Sequence, residues 1–305
     1  MLLSKAVKVA LDETRLLILG AQVLLGFQFQ AVFREGFETL SPLCKQLYLV
    51  ALITLVVTIG SLIAPSMQHR IVEEGRGSMR LLGAARRYAM TALALLIVAL
   101  TIDFFVVLKK DDRTALAMVA AGGFVAVCVM AWFVFPLLVG SIFGFPERTM
   151  DKRPPSTETR IEQMLTEARV ILPGVQALLG FQFIVVFTDG FQHLPEAVRT
   201  THYLALFANA TAMALLMTPP ALHRIAFGGE DDPRFLFLGS IFVVVAPVFL
   251  AGGLSADAYV ALRAANALAP AGAVAIGLSL LLFLLVVWYG WPAFLRWYRR
   301  REITA

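Results

Sequence analysis

Apolar runs separated by short polar clusters recur along the whole chain, and eight of them are of membrane-crossing length. They are Leu16–Phe33, Leu47–Met67, Tyr88–Leu108, Ala115–Phe135, Val170–Phe187, Tyr203–Leu222, Phe235–Leu254 and Ala267–Trp291. A spanning helix needs roughly 20 consecutive, mainly apolar residues. Hydrocarbon offers the backbone no hydrogen-bond partner, so a run of this kind reads as a helix that satisfies itself. The first and fifth runs are short and carry glycines, Gly20 and Gly26 in one, Gly174 and Gly180 in the other.

The order of the runs repeats. Leu24–Phe37 reads LLGFQFQAVFREGF, and Leu178–Phe191, 154 positions later, reads LLGFQFIVVFTDGF, with ten of fourteen residues identical. The same offset relates Glu13 and Arg15 to Glu167 and Arg169, Gln22 to Gln176, and Pro65 with His69–Arg70 to Pro219 with His223–Arg224. It also relates Asp103 to Asp257; with a two-residue slip, Trp132 and Pro136 match Trp288 and Pro292. This is a tandem duplication. Four runs per copy, an even number, give both copies the same orientation. The expected fold is therefore all-α and polytopic, with eight transmembrane helices as two parallel four-helix repeats about a pseudo-two-fold axis along the membrane normal. The first repeat covers 1–145 and the second 165–305. Between them, 146–164 is a polar linker broken by Pro154–Pro155. Thr159 and Glu162 there read as a capping box opening an amphipathic helix, with Ile161, Leu165 and Ala168 on its apolar side.

Composition supports the membrane reading: 59% of residues are hydrophobic, 15% are charged, and mean hydropathy is +0.78. A soluble domain carries about 25% charged residues, which argues against a large soluble helical core. Sorting the 26 Lys and Arg by alternate connections puts 19 on the side of both termini and seven on the other. That bias places the termini in the cytoplasm and the protein in the cell membrane. Trp288, Tyr289, Trp291, Trp297 and Tyr298 form an interfacial belt before a basic end. The pI near 9.4 comes from these connections, and no nucleic-acid partner is expected. Cys44 and Cys128 form no CxxC pair, and with the charged stretch Lys5–Arg15 ahead of the first apolar run no cleavable signal peptide is expected.

The combination of E-x-R, G-x-Q-x-L-x-G-F, a proline four residues before His-Arg, a late Asp, and a Trp four residues before a Pro resembles an uncharacterised family. Its members are short bacterial four-span membrane proteins catalogued as a domain of unknown function. The resemblance covers residues 11–140 and again 165–296. It implies a four-span unit, here fused in tandem where typical members carry one, and it supplies no activity.

The shared polar residues are the candidate chemistry. On a helical projection of the first run, Arg15, Gln22, Gly26, Phe29, Phe33, Gly36 and Phe37 share one wedge, while Glu13, Gly20 and Phe27 lie opposite. Demands on both sides make this helix central. Gln22, Gln28, Gln176 and Gln182 are candidates for interhelical amide bonds or for substrate contact. A cytoplasmic ionic layer gathers Glu13, Arg15, His69 and Arg70 in one copy and Glu167, Arg169, His223 and Arg224 in the other. Adjacent antiparallel spans would pair Glu13 with Arg70 and Glu167 with Arg224, and the histidines can alternatively relay protons. On the outer side, Glu35 and Asp103, then Asp189 and Asp257, form a candidate cation or proton site, since an acid inside a span normally faces protein or water. Snorkelling, or a bond from Asp103 to Lys109 or Arg113, is the plainer alternative.

No catalytic residues, metal site or cofactor are expected, because nucleophile-elbow, phosphate-loop and HxxxH spacings are missing from the sequence. The expected protein is a small secondary transporter or permeation protein for cations or protons, embedded in the bilayer, for which an oligomer is allowed but not required. The alternative is a non-transporting membrane scaffold or envelope-stress component. A polar cavity between the repeats would favour the first reading, and a dry packed interface the second.

Overall fold

The computed structural model of the protein describes residues 3–74, 78–109, 114–143, 156–228, 230–266 and 268–304. The first repeat contains α1 (Leu3–Ala31), the short α2 (Glu35–Glu38), α3 (Pro42–Ile71), α4 (Met79–Lys109), α5 (Thr114–Val129) and α6 (Phe135–Phe143). The second contains α7 (Thr157–Val185), the short α8 (Asp189–Gln192), α9 (Glu196–Ile225), α10 (Pro233–Ala264), α11 (Pro270–Leu285) and α12 (Trp291–Thr304). Among the described residues, seven helical rods are long and apolar enough to cross a membrane, all except α1, whose apolar stretch Leu17–Ala31 is shorter.

Local sequence explains where the rods start and bend. Ser41 caps α3 by accepting from the Cys44 N–H, with Pro42 in the first turn, where its missing N–H costs nothing. Asp232 and Pro233 open α10 in the same way. Ser156, rather than the expected Thr159, caps α7 by accepting from the Thr159 N–H at 3.2 Å. The amphipathic stretch then runs unbroken into the fifth apolar run, with Ile161 and Ala168 buried and Leu165 partly buried. Much of the expected linker, 144–155, lies outside the described residues.

Each repeat's last rod contains one π-helical turn, at Met130–Val134 and at Val286–Gly290. There the Phe135 N–H reaches back to the Met130 carbonyl, and the Trp291 N–H to that of Val286. Pro136 and Pro292, one residue further on, donate no backbone hydrogen bond and so relax the ladder behind them. The element bounds of α5 and α11 are offset by 156, the slip seen in the sequence.

Between repeats, α1 and α7 lie side by side and run in the same sense: Gln22 meets Gly174, Gly26 meets Phe181, and Phe33 meets Gly190. The glycines allow this approach, since a Cβ on Gly26 or Gly174 would overlap the facing side chain. The repeats are not used alike. In the first, α3 packs on α10, α11, the second π turn and α12; in the second, α9 makes no comparable contact with α4, α5 or the first π turn. A two-fold axis between the repeats would bury Gln22 and Gln176 alike, but Gln22 is 0% exposed and Gln176 is an exposed residue.

Candidate functional site

Two acids inside the apolar rods, Asp103 and Asp257, each gather polar side chains of their own repeat. In the first repeat, Gln28 of α1 donates its amide to both oxygens of Asp103 on α4, at 2.7 and 2.6 Å. In the second, Gln182 of α7 does the same to Asp257 on α10, at 2.8 and 2.9 Å. The arrangement is repeated down to its support. The Gln28 backbone carbonyl accepts from the Tyr48 hydroxyl at 3.3 Å, and that of Gln182 accepts from His202 Nε2 at 3.2 Å. Tyr48 and His202 are themselves 154 apart.

The second copy is elaborated further. Asn209, at the position of Leu55, donates to Asp257 Oδ2 at 3.2 Å. Asp257 is 6% exposed, while Asp103 is only partly buried. Among the described residues no cation pairs with either acid. Gln182 Oε1, Asn209 Oδ1 and Ser255 Oγ are buried without a protein partner. A small cavity of about 10 Å³, the scale of one water, touches Gln182 and Asp257 and is walled on its other side by Leu25, Gly26 and Phe29 of the first repeat.

The expected carboxylate pairs do not form. Glu35 and Asp189 lie beyond the ends of α1 and α7, in the short helices α2 and α8, and line a cleft of about 870 Å³ between the repeats. Arg34, Glu38, His193 and Arg263 line it as well. The reason is geometric: α1 stops at Ala31, so Glu35 lies past its end in α2 and lines the cleft, which Asp103 does not. Asp103 instead finds the glutamine of its own repeat. An aromatic plug separates cleft from cavity, with Phe33 against Phe29 at 5.3 Å between ring centres, Phe29 stacked on His202 at 5.9 Å, and Phe191 edge-on to His202 at 5.0 Å.

At the opposite end the ionic layer is partly realised, but across the repeats. Glu167 accepts from Arg70 Nε on one oxygen and from His69 Nδ1 on the other, all three buried, and Arg70 Nη1 donates to Ser240 Oγ at 3.1 Å. The expected partner Arg224 is exposed, and the ring of His223 stacks on Phe235 instead. Arg15 and Arg169 are also exposed, and the side chain of Glu13 lies outside the described residues. Arg299 with Glu73 and Arg296 with Glu74, at 2.7 and 2.6 Å, tie α12 to the turn after α3. Of the four glutamines, Gln28 and Gln182 hold acids, Gln22 is buried against Gly174 with no protein partner for its amide, and Gln176 faces outward.

The sequence reading passed over Tyr48, His202 and Asn209. Their signal was weak because the repeat comparison sought identities, and these positions differ between copies. Polar residues inside an apolar run were the sign available.

The chain matches the family described as Family of unknown function (DUF6328) over residues 3–136 and again over residues 155–292. It belongs to that family, as a tandem duplication of its domain. No curated protein and no solved structure matches it.

Proposed function

We propose that this DUF6328 chain is a small secondary transporter or permeation protein for protons or small cations, with Asp257 and Asp103 as the binding carboxylates. In this reading eight helices cross the cell membrane as two parallel units, with both termini cytoplasmic by the charge bias of the connections. The observation that carries it is Asp257, an acid enclosed in an apolar rod, held by two amides and accompanied by no cation among the described residues. A lone ionised carboxylate in such surroundings is expensive, and uptake of a proton or a small cation relieves that cost. The wide cleft lined by Glu35 and Asp189 then serves as the outer mouth, and the Glu167–His69–Arg70 cluster as the cytoplasmic closure. No enzymatic step is assigned.

The test is flux into proteoliposomes carrying an internal pH or cation indicator. The reading expects flux that falls to the level of empty vesicles in Asp257→Asn with Asp103→Asn. Unchanged flux in that double variant, or none from the unaltered protein, would sink it. The scaffold reading has one observation in its favour, the tightly packed α1–α7 interface with room for little more than a water. Co-purification of a partner, with no flux for any common ion, would support it.

A further inference from the structure

The duplicated first helix has two different faces, and each copy buries a different one. In α1 the face of Gln22, Gly26, Phe29 and Phe33 is covered by Gly174, Phe181, His202 and Gly190 of the second repeat. In α7 the same face is bare: Gln176, Gly180, Phe183 and Phe187 are exposed, Phe187 at 87% against 5% for Phe33. The opposite face reverses the pattern. Gly20 and Phe27 of α1 are exposed, whereas Gly174 and Phe181, which repeat them, meet the other half of the chain. The later helices agree. Gly60 of α3 lies under Leu284, and its carbonyl accepts from Trp288 Nε1 at 2.8 Å. Ala214, which repeats Gly60, is exposed, and Trp132, which repeats Trp288, is only partly buried.

The two halves are therefore docked head to tail. A two-fold contact would consume both faces of both halves; a head-to-tail contact leaves one face of each kind free at the ends of the pair. We propose that a second copy of this chain docks on these free faces by the contact already made inside the chain. The bare side of α7 and α9 in one copy receives the bare side of α1, α4 and α5 of the next. The internal contact is the template. Gln176 takes the place of Gln22 against Gly20, Gly180 lies under Phe27, and Trp132 covers Ala214. Whether the rotation from half to half closes a ring decides the number of copies.

This docking completes a site. Leu25, Gly26 and Phe29 form the lid over Asp257 and Gln182. Asp103 and Gln28 have no such lid within the chain, and Asp103 is correspondingly less buried than Asp257. The residues that repeat the lid are Leu179, Gly180 and Phe183, of which the last two are exposed. In the assembly they close over Asp103 of the neighbouring copy. Acyl chains in that place would leave Asp103, held by Gln28 alone, open to hydrocarbon, whereas a second copy encloses it as the first repeat encloses Asp257. The inference does not depend on the protein's carrying ions.

The test uses the full chain. Gly20→Cys with Gln176→Cys, in a Cys44→Ala and Cys128→Ala background, places two thiols on the exposed faces of α1 and α7. Gly20 and Gln176 repeat Gly174 and Gln22, where a Cβ on Gly174 would lie 2.9 Å from Gln22 Cβ, so the pair from neighbouring copies falls within disulfide reach. Inside one chain nothing lies within 4 Å of a Cβ on Gly20. In lipid nanodiscs or native membranes, mild oxidation is expected to convert most of this variant to covalent dimers and longer species, all lost when either new cysteine is omitted. Absence of the linked species from inserted protein overturns the proposal. So does a single-copy mass for the unaltered chain released from nanodiscs, a measurement that needs no variant.

Discussion

Glu167, ahead of the first apolar stretch of the second repeat, is held by Arg70 at the end of the second long helix of the first repeat. This bond ties the halves together, and both side chains are buried. Breaking a buried ion pair by removing one partner typically costs about 3–5 kcal/mol, because the other charge is stranded. Glu167→Gln is therefore expected to lower the thermal unfolding midpoint in detergent by many degrees. Arg224→Gln, at the exposed position that repeats Arg70, should leave the midpoint where it was. Equal effects from the two substitutions would refute the cross-repeat assignment.

The α1–α7 approach yields a second paired prediction. Gly174→Val pushes into Gln22, which fills the space a side chain would need, while Gly20 has nothing within 4 Å of where a Cβ would sit. Overpacking of this kind costs about 1–3 kcal/mol. Gly174→Val should destabilise the folded chain measurably. Gly20→Val should spare its unfolding midpoint and weaken only the association of copies. Differential scanning fluorimetry read beside nanodisc mass separates the two effects.

Much of this architecture was legible in the sequence, and the limits are instructive. The duplication, the apolar rods and the polar positions worth watching could all be read, since each rests on spacing along the chain. The wedge of Gln22, Gly26, Phe29 and Phe33 was recognised as a face, and it is buried in α1. Nothing in LLGFQF, which occurs identically twice, distinguishes the copy whose wedge is covered from the copy whose wedge is bare. That choice belongs to the angle at which the halves dock. The partner of Glu167 was misread for the same reason, because adjacency of consecutive spans was assumed where the contact crosses repeats. Asp103 was paired with Glu35 on shared sidedness, and the early end of α1 at Ala31 undoes that.

Trp288 is fully buried and donates to the Gly60 carbonyl, which in a helix already serves its own ladder. Trp288→Phe removes the donor and part of the indole volume, and a loss of about 1–3 kcal/mol is expected from the contact and the space left behind. Trp132→Phe, at the repeated position on the free side, is expected to change the stability of a single copy far less. The comparison is made with both variants in the same detergent, and a larger effect at Trp132 would contradict the packing described.

The two acids differ in their access to the surroundings, and that difference can be read chemically. Asp257 is enclosed by Leu25, Gly26 and Phe29, whereas Asp103 carries the same glutamine bond without the lid. A hydrophobic carbodiimide partitions into apolar surroundings and adds to a protonated carboxyl it can touch. On single copies dispersed in detergent, labelling mapped by peptide mass should therefore reach Asp103 several-fold faster than Asp257. In bilayers, where neighbouring copies bring Gly180 and Phe183 over Asp103, its labelling should fall toward the rate of Asp257. Equal labelling of the two acids in the dispersed state would mean that the lid over Asp257 opens readily. A rate at Asp103 that stays high in the bilayer would mean that acyl chains, rather than a second copy, cover that face.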